Sequence, residues 1–335
     1  MEDQVRPTAV MPSGGWLVSP LFDLFFIANL GWLLLLWPTF SADGSTVVDF
    51  WQVYYVTLPH RWITLILVLL DPDRRTGQTL RLGVVAILAL ALVGGVYTFT
   101  GGLTCLALLD FVWNAWHFGS QHAGVARMYS LKAGAPRSQA ERWGIRILVT
   151  YTLWRTAGWA TGWTSELSWI EPTVTMLDGV VLLMPLMVIA VVLHQGAWTW
   201  GRISYLTSVL TLYIGLLIST ANEWSRFIVP LIAAAALFHA AEYLAIVTLY
   251  ARRRESVGSA GRFRQLATHW PIFLVLYIVT LGSIGIILES GSFSPVWVAV
   301  NTWIALVHYS FDGMIWKLRT PATATALGAT PSPPY

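Results

Sequence analysis

Long apolar runs broken by short polar turns set the pattern of this chain. Ten stretches come close to the roughly 20 residues a helix needs to cross a hydrocarbon core: 17–37, 50–70, 80–98, 103–123, 146–165, 175–194, 203–221, 226–250, 270–289 and 294–316. They are continuously apolar rather than alternating, so they predict helices and not the two-faced strands of an outer-membrane barrel. The expected fold class is all-α, a polytopic transmembrane bundle of about ten helices. No linker divides the run, so 1–319 reads as one integral membrane domain. The Pro-, Ala- and Thr-rich stretch 320–335 reads as a disordered tail.

Composition supports this pattern. Of 335 residues 56% are hydrophobic and 11% charged, against about 25% charged in a soluble domain. The 19 Trp and 12 Tyr suit two membrane interfaces, and a net charge of +3 calls for no nucleic-acid partner. Cys105 is the single cysteine, which excludes a disulfide framework and a CxxC metal site. Any bound metal must therefore use histidines and carboxylates. Glu2, Asp3 and Arg6 precede the first apolar run without a small-residue cleavage motif, so that run is expected to stay as a helix rather than leave as a signal peptide.

Charge asymmetry sets an expected orientation. Apart from Arg61, Arg155 and Arg226, the Lys and Arg residues lie in the N-terminal tail, in alternate loops around 74–81, 127–146, 202 and 252–264, or at Lys317 and Arg319. The opposite loops hold Asp43, Asp49, Glu166, Glu171, Glu223 and Glu289. The positive-inside rule then puts the basic loops and both termini in the cytoplasm, as expected for a multi-pass protein of a bacterial-type inner membrane.

Ionisable residues inside spanning helices are costly and mark functional sites by default. Counting from the helix ends places His60, His117, His239 with Glu242, and His308 with Asp312 at the middle or inner half of the bilayer. His239 and Glu242 are an i,i+3 pair and His308 and Asp312 an i,i+4 pair, so each pair shares a helix face. Helical His and carboxylate pairs of this kind supply metal ligands in bundle cores. His117 and His122 are five apart and diverge around a helix, so His117 is the expected ligand and His122 is expected at the interface. His194 and His269 are expected at cytoplasmic helix ends. Asp110, Asp178, Arg61 and Arg155 can neutralise one another, and Trp113 and Trp116 could wall a pocket beside His117.

Neutral imidazoles suit iron, copper or zinc. No GxSxG or HExxH motif points to a known hydrolase or protease. Leu58-Pro59-His60, His117-Phe118-Gly119, Phe238-His239 and a closing His308 followed by Asp312 resemble the successive histidine motifs of the Brp/Blh family of membrane β-carotene dioxygenases. The motif order is also similar, over residues 50–319. Arg61-Trp62-Ile63-Thr64 stands where that family continues with Gly-Ala-Leu-Asp, and Tyr243 where its third motif carries a second histidine. The resemblance implies a membrane-embedded non-haem Fe(II) oxygenase with O2 as co-substrate. It would cleave a lipid-soluble substrate, a carotenoid or another isoprenoid or lipid, to an apocarotenal such as retinal. By the same resemblance His60, His117 and His239 would be metal ligands, with His308 the fourth. Glu242 and Asp312 would be ligands or would orient the imidazoles. The alternatives are a haem- or chlorophyll-binding electron-transfer subunit, and a transporter or structural subunit with gating kinks at Pro59 and Gly119.

Overall fold

The computed structural model of the chain describes residues 14–40, 53–162, 166, 168–257, 262–290, 294–318, 323, 324 and 327. The expectations for Glu2, Asp3 and Arg6, and for Asp43 and Asp49, lie outside them. Among the described residues there are helices and turns and no strand. The longer helices are α1 (Leu58–Leu70), α2 (Thr79–Thr100), α3 (Thr104–Lys132), α4 (Gln139–Thr161), α5 (Glu171–Val181), α6 (Met184–Gln195), α7 (Trp200–Ala221), α8 (Ser225–Val257), α9 (Trp270–Ser290) and α10 (Ser294–Ile315).

Six segments among the described residues are long and apolar enough to cross a membrane: Val53–Leu70, α2, Glu171–Gln195, α7, Ser225–Arg254 and Trp270–Glu289. Of the other expected spans, α3, α4 and α10 have the length, with 29, 23 and 22 residues, but more polar sequences. The reason is local. They carry His117, Gln121 and His122, Arg142 and Arg146, and His308 and Asp312, the side chains from which the interior polar structure is built.

The opening segment is not the single helix that 17–37 predicts. It runs as a short turn of α-helix (Pro20–Phe22), a π-helical turn (Asp23–Ile27), Asn29 at φ 44° and a 3₁₀ helix (Leu30–Phe40). Asp23 organises the entry, its carboxylate accepting the amides of Leu17 (2.6 Å) and Val18 (3.0 Å) and the Tyr129 hydroxyl (2.9 Å). Ser208 then joins it to α7, donating to the Ala28 carbonyl at 2.6 Å and accepting from the Trp32 indole at 2.9 Å.

The core lies where α3, α4, α7 and α8 pack together, with α10 closing against α1, α2 and α3. Gly119 is where α3 and α4 come closest: a Cβ there would sit 2.8 Å from Thr150 Oγ1 and 3.0 Å from the Arg146 carbonyl. Outward, α2 and α9 expose Leu80, Ile87, Phe99, Ile272, Leu276 and Ile287. An apolar surface of that extent is what a membrane protein turns to lipid. The tail expected to be disordered contributes Thr323, Ala324 and Leu327 as buried residues. Arg74 accounts for the first of these. Its guanidinium lies over the Tyr250 and Trp316 rings, at 4.0 and 4.7 Å, and donates to the Ile315 carbonyl (2.8 Å) and Thr323 Oγ1 (2.9 Å).

Candidate metal centre

His60 comes from an irregular stretch. The π-helical turn Val53–Thr57 runs into α1, and Pro59, which has no amide to donate, sits in its first turn. The Thr57 carbonyl takes a hydrogen bond from His60 Nδ1. With that proton spent outward, the Nε2 lone pair faces inward, the arrangement found in metal-binding histidines.

Three helices bring the other imidazoles to the same place: α3 gives His117, α8 gives His239 and α10 gives His308. Ring centres are 5.0 Å apart for His60 and His239, 4.9 Å for His60 and His308, 4.9 Å for His117 and His239, and 4.8 Å for His117 and His308. All four rings are buried. His60 Nε2, His117 Nε2, His308 Nε2 and both nitrogens of His239 have no hydrogen-bond partner among the described residues. One ligand atom from each of His60, His239 and His308 lies within 4.8 Å of the others, and so does one from each of His117, His308 and Asp312.

This donor set fits a transition metal. Imidazoles bound at about 2.1 Å to a common ion have ring centres roughly 5 Å apart, the spacing found. A buried polar atom without a partner costs about 1–3 kcal/mol. Several such nitrogens aimed at one point form a site for a cation that accepts their lone pairs, and carbonyl-rich magnesium or calcium sites are built otherwise.

A chain of hydroxyls holds the cluster in place. His308 Nδ1 lies 2.7 Å from Thr64 Oγ1, Thr64 Oγ1 2.6 Å from the Tyr243 hydroxyl, and that hydroxyl donates to Asp312 Oδ1 at 2.7 Å. The Trp316 indole adds a donor to Tyr243 at 3.1 Å. Asp312 is thereby anchored through Oδ1, while Oδ2 stands 3.7 Å from both His117 Nε2 and His308 Nε2. His239 is fixed by stacking on Phe118, with ring centres 3.7 Å apart. Thr64 and Tyr243 are absent from the sequence-based site, yet each stands four residues after a ligand candidate, on the same helix face as His60 and His239.

Glu242 is held elsewhere. Its Oε1 accepts from the Tyr205 hydroxyl at 2.5 Å and its Oε2 from Gln121 Nε2 at 2.7 Å, and Oε2 lies 3.2 Å from His122 Nδ1. His122 is fully buried rather than interfacial, with Nε2 3.2 Å from the Tyr213 hydroxyl. The cause is the length of α3, which runs two turns and more past His122 to Lys132. His194 and His269 are exposed at helix ends. Arg155 pairs with Asp178 at 3.2 Å, whereas Asp110 accepts from the Tyr309 hydroxyl (3.0 Å) and Arg61 lies over the Tyr309 ring.

A cavity of about 1050 Å³ leads to the cluster between α3, α4 and α10. His117 and Asp312 stand at its wall, with Trp113, Trp116 and Tyr309 beside them. His117 Nε2, Ser120 Oγ, Gln121 Oε1 and Arg146 Nε, all buried and without partners, belong to residues that line it. The rings of His117 and Tyr309 are 5.0 Å apart.

No known protein family, curated protein or solved structure matches the chain.

Proposed function

We propose that this chain is a membrane-embedded non-haem iron oxygenase acting on a long lipid-soluble substrate. The observation that carries the reading is the clustering of buried, unpartnered ring nitrogens from His60, His117, His239 and His308, with His117 and Asp312 on the wall of a cavity. These histidines would hold Fe(II), with Asp312 Oδ2 close enough to join them or to orient them. Bound iron supplies dioxygen activation, which an unsaturated chain lying along the cavity requires. Around it, Thr64 and Tyr243 hold His308 and Asp312 in register, Phe118 fixes the plane of His239, and the buried setting keeps bulk water from the reacting bond.

Carotenoid cleavage to an apocarotenal such as retinal is the narrower form of this reading. It rests on the Brp/Blh resemblance, whose motif histidines are the four that cluster. Four pairs of ring centres lie 4.8–5.0 Å apart, too close for a porphyrin to fit between the members of any of these pairs, which weighs against a haem subunit. The two overlapping ligand groups share His308, so stoichiometry separates one ion from two. In the proposed orientation ten helices cross the inner membrane, both termini are cytoplasmic, and the basic end of the cavity faces the cytoplasm.

Elemental analysis of the purified protein tests the metal, with one or two irons per chain expected. Expression in a β-carotene-producing bacterium tests the substrate, with loss of colour and an apocarotenal expected. Persistent colour with iron-loaded protein rejects the carotenoid and leaves the metal centre standing.

A further inference from the structure

The cavity wall is strongly basic. Arg127, Arg137, Arg142, Arg146 and Lys317 line it, and the lining carboxylates are Glu141 and Asp312. Both are engaged: Glu141 pairs with Arg202 at 2.9 Å and accepts from Ser130 Oγ at 2.9 Å, and Asp312 is held by Tyr243. None of the five cations has an ion-pair partner among the described residues.

Position makes this more than a charged rim. Arg146 sits at the level of Gly119, where α4 touches α3, two residues from His117. Its guanidinium lies 5.2 Å from the Trp116 ring and 5.4 Å from the Trp143 ring, and its buried Nε has no partner. Arg142 is one turn farther out on the same face, over Trp143 at 5.9 Å. Arg127 stands ten residues beyond His117 on α3, about 15 Å of helical rise. The same cavity is also lined by apolar side chains, among them Ala123, Val125, Met128, Ile246 and Met314. The volume is at the upper end of the usual range for ligand pockets, about 300–1000 Å³.

The geometry points to a substrate with an anionic head. The cavity takes a long-chain amphiphile whose carboxylate or phosphate is held by Arg142 and Arg146 on the His117 side and whose apolar chain lies along Ala123, Val125, Met128, Ile246 and Met314. Guanidinium forks bind such oxyanions through charge-assisted hydrogen bonds. A carotene, which is a neutral hydrocarbon, would leave these cations unanswered. This deepens the oxygenase reading by naming its substrate class, and it rests on that reading only for the reaction that follows binding.

The test is equilibrium binding of tritiated oleate to the full-length, detergent-solubilised protein, with iron content measured on the same sample. Oleate is expected to bind, to be displaced by oleyl phosphate, and to resist displacement by oleyl alcohol. In the R142Q/R146Q protein its affinity should fall about tenfold or more with iron unchanged. Equal displacement by oleyl alcohol overturns the proposal, as does wild-type affinity in the double variant. Displacement by inorganic phosphate as effective as that by oleyl phosphate also overturns it, because the site would then take a free anion. The competition arm needs no variant, so it stands even if the double variant fails to fold. Oleate binding in a protein without iron would sink the oxygenase and leave the amphiphile site intact. Iron without oleate binding would do the reverse.

Discussion

Two clusters of buried polar groups lie side by side in this protein, and they differ in how their atoms are spent. In the first, His122, Glu242, Tyr205, Tyr213 and Gln121 use both nitrogens of the imidazole and both oxygens of the carboxylate on one another. In the second, His60, His117, His239 and His308 hold unpartnered nitrogens in two overlapping groups that share His308. The rings of His122 and His239 are only 6.4 Å apart, so depth and burial do not separate the two. Satisfaction does: an imidazole and a carboxylate that spend every atom on neighbours hold helices together, whereas imidazoles with open nitrogens are complete only with something bound.

The sharpest way to break this contrast is His239→Leu. Both nitrogens of His239 are unpartnered, so in metal-free protein the change should cost little or even stabilise, since a buried polar group without partners gives way to an apolar one. Metal affinity should fall by more than about 100-fold, beyond the 10–100-fold typical of groups that only support a ligand. Added iron should raise the melting temperature of the wild-type protein by mass action and leave the variant unmoved. An equal iron-induced shift in both proteins would show that the histidine cluster does not bind the ion.

Glu242→Leu should give the opposite profile. Gln121, Tyr205 and His122 would lose a shared buried partner, at a cost of about 3 kcal/mol or more. Thermal unfolding in detergent should show the loss with metal-free and metal-loaded protein alike, while iron per folded chain stays at the wild-type level. Loss of iron with unchanged stability would move Glu242 into the metal centre.

Depth was legible in the sequence and direction around each helix was not. Counting residues from helix ends fixes height, because each residue rises about 1.5 Å, and that brought four histidines to one stratum. Direction turns on small angles. At about 100° per residue, the i,i+3 step from His239 to Glu242 leaves the two roughly 60° apart, and the i,i+4 step from His308 to Asp312 only about 40°. Glu242 thus faces α7 while Asp312 stays with the cluster. The five-residue step from His117 to His122 sends them to different networks, as its larger angle requires. That divergence from His117 does not bring His122 to an interface, because the helix continues through a polar stretch to Lys132. The break at Asn29 left no mark, since 17–37 is apolar on both sides of it. Basic residues assigned to loops, Arg142 and Arg146 among them, turned out to line the cavity because α4 begins at Gln139, before the apolar run does.

The finest test uses two tyrosines, one from each cluster. Tyr213 lies 3.2 Å from His122 Nε2, and Tyr213→Phe removes that one hydroxyl from an otherwise intact network. The expected loss is about 1 kcal/mol of stability, with no change in metal affinity. Tyr243 instead donates to Asp312 at 2.7 Å and stands 2.6 Å from Thr64, which holds His308. Tyr243→Phe should therefore loosen a carboxylate and an imidazole together, and lower iron affinity by about tenfold, the low end for groups that orient ligands. Its cost to the metal-free fold should exceed that of Tyr213→Phe, because the Tyr243 hydroxyl serves Thr64, Asp312 and Trp316 where that of Tyr213 serves His122. Chelator competition measures the affinities, and thermal unfolding of the metal-free proteins measures the stabilities. A tenfold gap in iron affinity between the two variants is the signature of two neighbouring clusters with different work. If both variants bind iron as tightly as the wild type, Tyr243 and Asp312 lie outside the metal's influence, and any ion rests on the histidines alone.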